Sequence, residues 1–301
     1  MGTLIEVTLW SDSQEQADLG SHLVFDEFQR VDKLMTTWLP ENSVGLVNQH
    51  AHKKPVVVDK ETFDVVKTSV TWSKRLFGVF DITIGAFKGL WKFDHDNDGT
   101  LPDAASIKKQ LPLVNYKNLA LNPSKNTIRF KKAGMRISLG GIAKGYALDN
   151  AVKLLRKNQI RNFIIQAGGD MFIGGTKGTK SWTVGIRDPR GPLDAVFAYA
   201  KIKNKTFSTS GDYERFTIKD GIRYHHILNP KTGYPAKKSR SVTVVTDSAI
   251  DADVLSTALF ILGPEKGMPL VETSKNVDAV FVDAHGNTFI STGLKGKIQF
   301  P

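Results

Sequence analysis

The sequence predicts an α+β fold that combines mixed, mainly antiparallel sheets with helices. Amphipathic stretches of helical period alternate irregularly with short β-branched segments, and no regular strand–helix–strand repeat links them. The chain has 301 residues, 41% of them hydrophobic, which is enough to bury a core without disulfides. No repeat, low-complexity stretch or obvious linker divides the chain, so two domains would have to interleave in sequence.

The first half of the chain is predicted from the spacing of its apolar residues. Residues 1–9 alternate in hydrophobicity as a strand does, whereas residues 14–35 repeat their apolar residues at helical spacing behind Ser13, a candidate N-cap. Turn-forming and polar residues separate the later segments. These segments are a turn at 38–43, a short strand at 56–59, a helix at 61–77, an extended segment at 80–85 and a loop at 94–102.

The second half is predicted in the same way. A helix at 145–159 starts after the glycine pair Gly140 and Gly141, and the apolar segment 163–166 is typical of a buried strand. The other elements follow from alternating or helical patterns between turn signals. They are two or three short strands at 119–137, strands and turns at 182–245, helices at 250–262 and 264–273, and a closing hairpin of 277–282 and 288–290.

Composition excludes several classes of chemistry. The absence of cysteine removes disulfides, thiolate metal sites, cysteine nucleophiles and iron–sulfur clusters. Lys and Arg number 41 against 30 Asp and Glu, a net charge of +11, which fits either an anionic partner or simple solubility. Because the basic residues are scattered, a small anionic ligand is favoured over nucleic acid. No signal peptide or membrane-length apolar run is evident, and the chain starts directly in a strand, as expected for a trimmed, mature form.

A glycine turn before the predicted helix at 145–159 is a candidate phosphate site. Gly140 and Gly141 leave backbone N–H groups accessible at the start of a helix, where the dipole favours an anion, and Lys144 adds a positive charge. The motif matches neither the dinucleotide fingerprint nor the Walker A loop. A plain tight turn followed by a surface lysine explains the same residues.

An acidic start to an otherwise apolar helix is a candidate metal site. Asp253 and Thr257 are four residues apart and therefore share one helix face, with Asp251 close by. Carboxylate and hydroxyl oxygens suit a hard cation such as Mg²⁺. The alternative is capping, because acidic residues in a first turn stabilise a helix without any metal.

A third group of residues combines hydroxyls, histidines and a turn. Ser208, Thr209 and Ser210 precede Gly211, and hydroxyls in such a setting suit contact with phosphate or ribose. Histidines at 225–226 precede a Pro-Gly turn at 230–233, where an imidazole suits proton transfer. The alternative is two structural imidazoles on opposite faces of a strand. The rings of Trp38 and Phe80 could stack on a flat ligand, although aromatic residues at element ends are more often part of a core.

Taken in order, these motifs resemble the FAD:protein FMN transferases, the ApbE-like flavin transferase family, over nearly the whole chain. Each motif is weak alone, but the ordered set is specific. The motifs are the opening strand with Met1, the segments 80–85, 140–147, 167–170 and 208–213, the turn at 226–235, and the helix start at 251–257.

The resemblance implies one flavin transferase domain over residues 1–301, either undivided or as two interleaved subdomains, with FAD in a cleft and Mg²⁺ at the FAD pyrophosphate. The metal would be held by Asp253, Thr257 and the backbone carbonyl of Gly141, with Ser256 as a further neighbour. The positions that match FAD contacts in the family are Met1, Trp38, Val79, Phe80, Asp81, Ser138, Lys144 and Ile227.

Four positions depart from the family pattern. Ser138 and Asn229 stand where Asp is usual, Trp38 stands where Tyr is common, and Gly141 stands where Ala is frequent. A serine hydroxyl still forms a hydrogen bond, and tryptophan still stacks. The change to Gly141 does not matter for a backbone ligand.

The implied reaction transfers FMN from FAD to a Thr or Ser hydroxyl of an acceptor protein and releases AMP. His226 is the first candidate for the general base and Asp251 the second, since each lies beside a phosphate or metal motif. The alternatives are a Mg²⁺-dependent FAD pyrophosphatase that yields FMN and AMP, and an FAD-binding protein without chemistry.

The resemblance also implies a location and a partner. Family members typically face the periplasm, tethered to the bacterial inner membrane by a lipidated cysteine, and the acceptor would be a subunit of a membrane redox complex. This sequence has neither signal nor cysteine, so membrane association would require an anchor that is no longer present. A cytoplasmic protein is the alternative, and no nucleic-acid partner is expected.

Overall fold

The computed structural model describes residues 2–93, 96–192 and 195–300. These residues form two compact units that interleave in sequence. The first unit comprises residues 30–143 and 214–236. The second unit comprises residues 2–29, 144–213 and 237–300.

Six helices and fifteen strands are present in the described residues. The helices are α1 (Gln14–Met35), α2 (Ser43–His50), α3 (Lys60–Arg75), α4 (Ala104–Gln110), α5 (Ala143–Lys157) and α6 (Ala249–Thr273). The strands are β1 (Ile5–Leu9), β2 (Val56–Val57), β3 (Leu119–Asn122), β4 (Thr127–Phe130), β5 (Phe163–Ala167), β6 (Asp170–Gly174), β7 (Thr183–Arg187), β8 (Val196–Lys201), β9 (Lys205–Gly211), β10 (Phe216–Lys219), β11 (Ile222–His225), β12 (Ser239–Thr246), β13 (Asp278–Asp283), β14 (Thr288–Ile290) and β15 (Ile298–Gln299). Short 3-10 helices lie at Ile82–Phe87, Leu111–Leu113, Tyr116–Asn118 and Thr292–Leu294.

The second unit is built on a seven-stranded sheet with the order β1-β5-β6-β9-β12-β13-β14. Each neighbouring pair in this sheet is antiparallel, as are the pairs of the three-stranded sheet β15-β8-β7. Helix α6 packs on β12, β9 and β13, and its apolar residues Val254, Ala258 and Phe260 are fully buried. Burial of such side chains is the main term that holds the helix on the sheet.

The first unit contains the small antiparallel sheet β2-β4-β3, the ribbon β10-β11 and helices α2, α3 and α4. Each helix starts at a side chain that accepts a hydrogen bond from its first turn. Asn42 accepts from the Gly45 amide, and Asp59 accepts from the Thr62 amide. Such caps satisfy N–H groups that have no partner within the helix.

The predicted α+β class with mainly antiparallel sheets is confirmed. The long helices and the closing hairpin lie close to their predicted bounds, and α6 breaks at Gly263, whose φ of 71° suits glycine, at the predicted boundary between two helices. One prediction is wrong, because residues Ile82–Phe87 form a 3-10 helix rather than an extended segment. The carboxylate of Asp81 accepts hydrogen bonds from the Thr83 amide and hydroxyl, which turns the chain there.

Helix α6 is the only described helix that is long and apolar enough to cross a membrane by length and composition. Of its most apolar stretch, 56% is buried inside the protein. This burial matches the place of α6 as a core helix on the central sheet.

Candidate active site

Three charged side chains of the second unit meet where α5, β6 and α6 begin. Lys144 Nζ lies 3.0 Å from Asp170 Oδ2 and 3.0 Å from Asp253 Oδ1, and it lies 3.2 Å from Asp253 Oδ2. The lysine side chain is 19% exposed and both carboxylates are 4% exposed. We call Lys144, Asp170 and Asp253 the charge cluster. Two carboxylates and one ammonium leave this cluster with a net charge of −1 when all three are ionised.

The start of α5 lies directly against the start of α6. The Gly145 amide donates a hydrogen bond of 3.1 Å to Asp253 Oδ2. A Cβ atom at Gly145 would lie only 2.3 Å from the Ala249 carbonyl oxygen, so glycine permits this close approach. The backbone of the two helices thus fixes the position of the Asp253 carboxylate.

Other residues than Asp253 cap helix α6. The Ser248 hydroxyl accepts from the Asp251 amide, and Asp149 accepts from the amides of Ala249 at 2.8 Å and Ile250 at 3.1 Å. The capping interpretation of the acidic helix start therefore does not account for Asp253. Its carboxylate points instead at Lys144 and the Gly145 amide.

A row of hydroxyls on β9 and α6 extends from the charge cluster. Ser208 Oγ donates to Asp170 Oδ1 and lies 3.3 Å from Ser256 Oγ. Ser210 Oγ lies 2.9 Å from Ser256 Oγ and 3.5 Å from Thr257 Oγ1. We call these four side chains, Ser208, Ser210, Ser256 and Thr257, the hydroxyl row. The i, i+2 spacing on β9 and the helical spacing on α6 place them on facing surfaces.

Burial and neighbouring charge act in opposite directions within the charge cluster. Burial, followed by repulsion from Asp170, raises the pKa of Asp253 above the usual value of a carboxyl. Burial by itself lowers the pKa of Lys144, but the charges of Asp170 and Asp253 outweigh it and raise that pKa overall. Lys144 is therefore a permanent cation, whereas Asp253 holds its proton more readily than an exposed aspartate does.

The donor set of the second unit suits a hard divalent cation. The charge cluster and the hydroxyl row contribute two carboxylates and four hydroxyls, all of them oxygen ligands. Among the described residues, Asp170 Oδ2 has no hydrogen-bond partner besides its ion pair with Lys144. Within the described part of the chain, no three His, Asp or Glu side chains are grouped as a metal site. A cation at Asp253 would therefore take hydroxyl, backbone or substrate oxygens as its other ligands.

In the first unit, Trp38 lies with one face against a lysine. Lys88 Nζ is 3.6 Å from the centre of the Trp38 ring and donates to the carbonyl and hydroxyl oxygens of Thr37 at 2.9 and 3.0 Å. The tryptophan remains 51% exposed. An exposed indole held in this way suits stacking with a flat ligand.

Asp81 is buried, and its carboxylate accepts hydrogen bonds from backbone amides. Besides Thr83, it accepts a 2.7 Å hydrogen bond from the Tyr116 amide, and burial raises its pKa despite these bonds. Its neighbours Val79 and Phe80 are also buried. A cavity of about 450 Å³ opens beside these residues. It is lined by Phe77, Gly78, Asp81, Leu111, Val114, Asn115, Tyr116, Lys117, Pro230 and Lys231.

The glycine turn and the histidine pair also lie in the first unit. The Ser138 amide donates to the Ile82 carbonyl at 2.8 Å, which anchors the chain just before Gly140 and Gly141. His225 is buried, with Nε2 at 2.8 Å from the Ala236 carbonyl and Nδ1 accepting from the Ile227 amide, as expected of a structural imidazole. His226 is half-buried, and its Nδ1 lies 3.3 Å from the Arg215 carbonyl oxygen.

The residues expected from the sequence divide between the units. The second unit holds and brings together Lys144, Asp253, Ser256 and Thr257, with Asp251 in the same first turn of α6. The first unit holds Trp38, Val79, Phe80, Asp81, Ser138, Gly141, His226 and Ile227. Met1 lies outside the described residues.

The sequence motifs indicate no role for Asp170 at this site, and they place Ser208 and Ser210 in a separate group. The only local signal for Asp170 is its place after Gly168 and Gly169, and this does not indicate its partner. The antiparallel register that sets Asp170 opposite Ser208 joins residues 38 positions apart, so single-sequence patterns do not reveal it.

Comparison with known proteins identifies relatives along nearly the full chain. A sequence profile of the ApbE family matches residues 1–281. A Treponema pallidum protein named FAD:protein FMN transferase is 30% identical over 99% of this chain and 87% of its own. A Klebsiella pneumoniae protein of the same name is 31% identical over 97% of this chain and 90% of its own. The crystal structure of an ApbE protein from Thermotoga maritima superimposes with a TM-score of 0.87 at 33% identity, covering 98% of each chain.

Proposed function

The chain belongs to the ApbE family, and we propose that it transfers FMN from FAD to a Thr or Ser hydroxyl of an acceptor protein in a Mg²⁺-dependent reaction that releases AMP. The protein is an FAD:protein FMN transferase, so FAD is one substrate and a protein is the other. The observation that carries the catalytic part of the proposal is the buried, oxygen-rich charge cluster beside the hydroxyl row in the second unit.

Asp253 and Thr257 are the side chains that we assign to the metal, with Ser256 next to them. Bound there, Mg²⁺ supplies Lewis acidity toward pyrophosphate oxygens and neutralises their charge. Lys144 places a positive charge beside this metal position, which stabilises the additional negative charge of a phosphoryl transition state. The sequence-based expectation that the Gly141 carbonyl is a further ligand stays a prediction.

Trp38, Val79, Phe80, Asp81, Ser138 and Ile227 are proposed to bind FAD from the first unit. The exposed indole of Trp38 offers a stacking face. Asp81 contributes through the backbone that it holds in place, because its two carboxylate oxygens already accept hydrogen bonds from Thr83 and Tyr116. The cavity that Asp81 lines supports this proposal, because it leaves open space beside the segment.

His226 is proposed as the base that takes the proton of the acceptor hydroxyl. The contact of its Nδ1 with the Arg215 carbonyl favours a proton on Nδ1, so Nε2 becomes the acceptor nitrogen. His225 is excluded from this role by its buried contacts with Ala236 and Ile227. Asp251 is the second candidate base, in the first turn of α6.

The direct test is to incubate the protein with FAD, Mg²⁺ and a candidate acceptor, and to measure the acceptor's intact mass and the AMP released. We expect FMN on a Thr or Ser of the acceptor, and no transfer by Asp253→Asn. Asp283→Asn is the matched control, because Asp283 is a buried aspartate that serves only the turn at the end of β13. AMP release without an acceptor would indicate an FAD pyrophosphatase, and FAD binding without AMP would indicate a binding protein. Transfer by Asp253→Asn at the normal rate would refute the metal assignment.

The location of the protein is a separate proposal. By its resemblance to exported family members, we place it on the periplasmic side of the inner membrane, where a subunit of a membrane redox complex would be its acceptor. Fractionation of cells that express the full-length gene tests this placement. Recovery of the protein with cytoplasmic markers would contradict it.

A further inference from the structure

Asp170 is a buried carboxylate to which the proposed reaction assigns no role. Its Oδ1 accepts a hydrogen bond from Ser208, and its Oδ2 forms an ion pair with Lys144 at 3.0 Å. Asp170 begins β6 and pairs in register with Ser208 on β9, so both its backbone and its carboxylate are fixed by the central sheet. The structure therefore holds a rigid anion directly beside the lysine of the charge cluster.

The Lys144 ammonium occupies the space that a cation at Asp253 would need. It lies 3.0 and 3.2 Å from the two oxygens of the Asp253 carboxylate. A second cation bound to the same carboxylate would lie close to this ammonium, and two like charges in such proximity repel strongly in a buried, low-dielectric setting. A divalent cation therefore binds Asp253 only when the ammonium withdraws from that carboxylate.

Asp170 is a second carboxylate with which the Lys144 ammonium stays paired when it leaves Asp253. We propose that Asp170 is a positioning residue, which accepts the Lys144 ammonium as Asp253 exchanges it for a divalent cation. This inference rests on the proposed function. Since Lys144 already lies 3.0 Å from Asp170 Oδ2, the exchange requires only that the ammonium give up its contacts with Asp253. After the exchange, each cation has its own carboxylate and Lys144 stays beside the reacting phosphates.

A double-mutant cycle tests the proposal through metal binding alone, with Mn²⁺ as the probe for Mg²⁺ and electron paramagnetic resonance as the readout. The four proteins are the full wild-type chain, Asp170→Asn, Lys144→Met and the double variant, all without FAD. We expect Lys144→Met to bind Mn²⁺ more tightly than wild type, because the competing ammonium is gone. We expect Asp170→Asn to bind it more weakly, because the ammonium is then confined to Asp253.

The cycle separates positioning from other roles of Asp170. If Asp170 acts by accepting the Lys144 ammonium, Asp170→Asn should weaken Mn²⁺ binding about tenfold more when Lys144 is present than in the Lys144→Met protein. Such a coupling is typical of residues in direct contact. Equal weakening in both backgrounds would show that Asp170 acts as a ligand or by charge alone, and would overturn the proposal. Lys144→Met that binds no more tightly than wild type would also overturn it.

Two further variants test whether a loss of Mn²⁺ affinity comes from the position of Asp170 or from a general disturbance of the fold. Ser208→Ala keeps the charge of Asp170 but removes the hydroxyl that holds it, so a smaller loss of Mn²⁺ affinity is expected. Asp212→Asn is the matched control, because Asp212 is a buried aspartate paired with Arg190 rather than with Lys144. Thermal unfolding of every variant confirms that the fold is intact.

The failure of this inference is distinguishable from the failure of the proposed function. FMN transfer and AMP release by the wild type, together with an additive cycle, would reject only the role of Asp170. The absence of Mn²⁺ binding in all four proteins, both without and with FAD, would reject both the metal assignment and this inference.

Discussion

Replacing Gly145 with alanine should push the start of α6 away from α5. The new Cβ atom would lie 2.3 Å from the Ala249 carbonyl oxygen and 2.7 Å from the Ile250 Cα. Both are backbone atoms in a helix start that Ser248 and Asp149 hold in place. They cannot rotate aside as a side chain would, so the two helix starts must separate.

The size of the effect follows from these distances. Non-bonded carbon and oxygen atoms prefer separations of about 3.5 Å, so relief of the contact requires a shift of about 1 Å. Such a shift would break the 3.1 Å hydrogen bond from the Gly145 amide to Asp253. Overpacking of this kind costs about 1–3 kcal/mol, while alanine gains at most about 1 kcal/mol of helix propensity over glycine. Together with the lost hydrogen bond, we expect a net loss of about 2 kcal/mol.

Thermal unfolding followed by circular dichroism measures this loss, with a fall in Tm of about 4 °C expected. Gly140→Ala is the matched control, because, of the residues that the structure describes, its Cβ would meet only Ser138, with Oγ at an ordinary 3.7 Å. It should unfold within about 1 °C of wild type, as harmless substitutions do. The same two variants should differ in Mn²⁺ affinity, since Gly145 also holds the Asp253 carboxylate. A Gly145→Ala protein with wild-type Tm would show that the helix starts are not in tight contact, and would refute the reasoning.

Three other changes have expected outcomes. Asp149→Ala removes the carboxylate that accepts three hydrogen bonds at the start of α6, so urea unfolding should show a loss of about 1–2 kcal/mol. Because the pKa of Asp253 is raised, this carboxyl keeps its proton to higher pH than an ordinary aspartate does. Titrations with Mn²⁺ should therefore show that affinity falls as the pH drops through that raised pKa. An affinity that does not change with pH would contradict this prediction. Trp91→Phe removes the indole N–H that donates to the Gly233 carbonyl at 2.8 Å. Thermal unfolding should therefore show a loss of about 1 kcal/mol in the free energy of unfolding. A variant as stable as wild type would disprove this.

Sequence patterns predicted the elements that are long and locally encoded. The apolar period predicts helix α1, and the separate helices predicted at 250–262 and 264–273 place a boundary at Gly263. Helices α2 and α4 were not predicted, because eight and seven residues hold too few turns for a period to emerge. The sequence predicts an extended segment at 80–85 where the structure has a 3-10 helix at Ile82–Phe87, because the start of that helix depends on a side-chain hydrogen bond of Asp81 rather than on hydrophobic spacing.

At the site, too, the sequence predicts contacts between residues close in the chain but not those between distant residues. Asp253 and Thr257 could be paired from the sequence because four residues span one helical turn. The contact of Lys144 with Asp253 joins residues 109 positions apart, and that with Asp170 depends on how α5 meets the central sheet. The opposite assignments of His225 and His226 likewise required the structure, since neighbouring residues on a strand alternate in burial and sequence does not show which one faces inward.

The composition of the charge cluster explains how the proposed Mg²⁺ site can lack a conventional metal motif. Three or more carboxylates at one position would hold a divalent cation whether or not substrate is bound, whereas Asp253 supplies one carboxylate and the hydroxyl row supplies neutral oxygens. Mg²⁺ characteristically completes its coordination with water and substrate phosphates. With Lys144 competing for the same carboxylate, the free protein should bind the cation weakly, and the pyrophosphate should strengthen binding by adding anionic ligands and attracting the ammonium. On the proposed assignment, the cation and the dinucleotide bind at one site, so binding of either should strengthen binding of the other by the same factor.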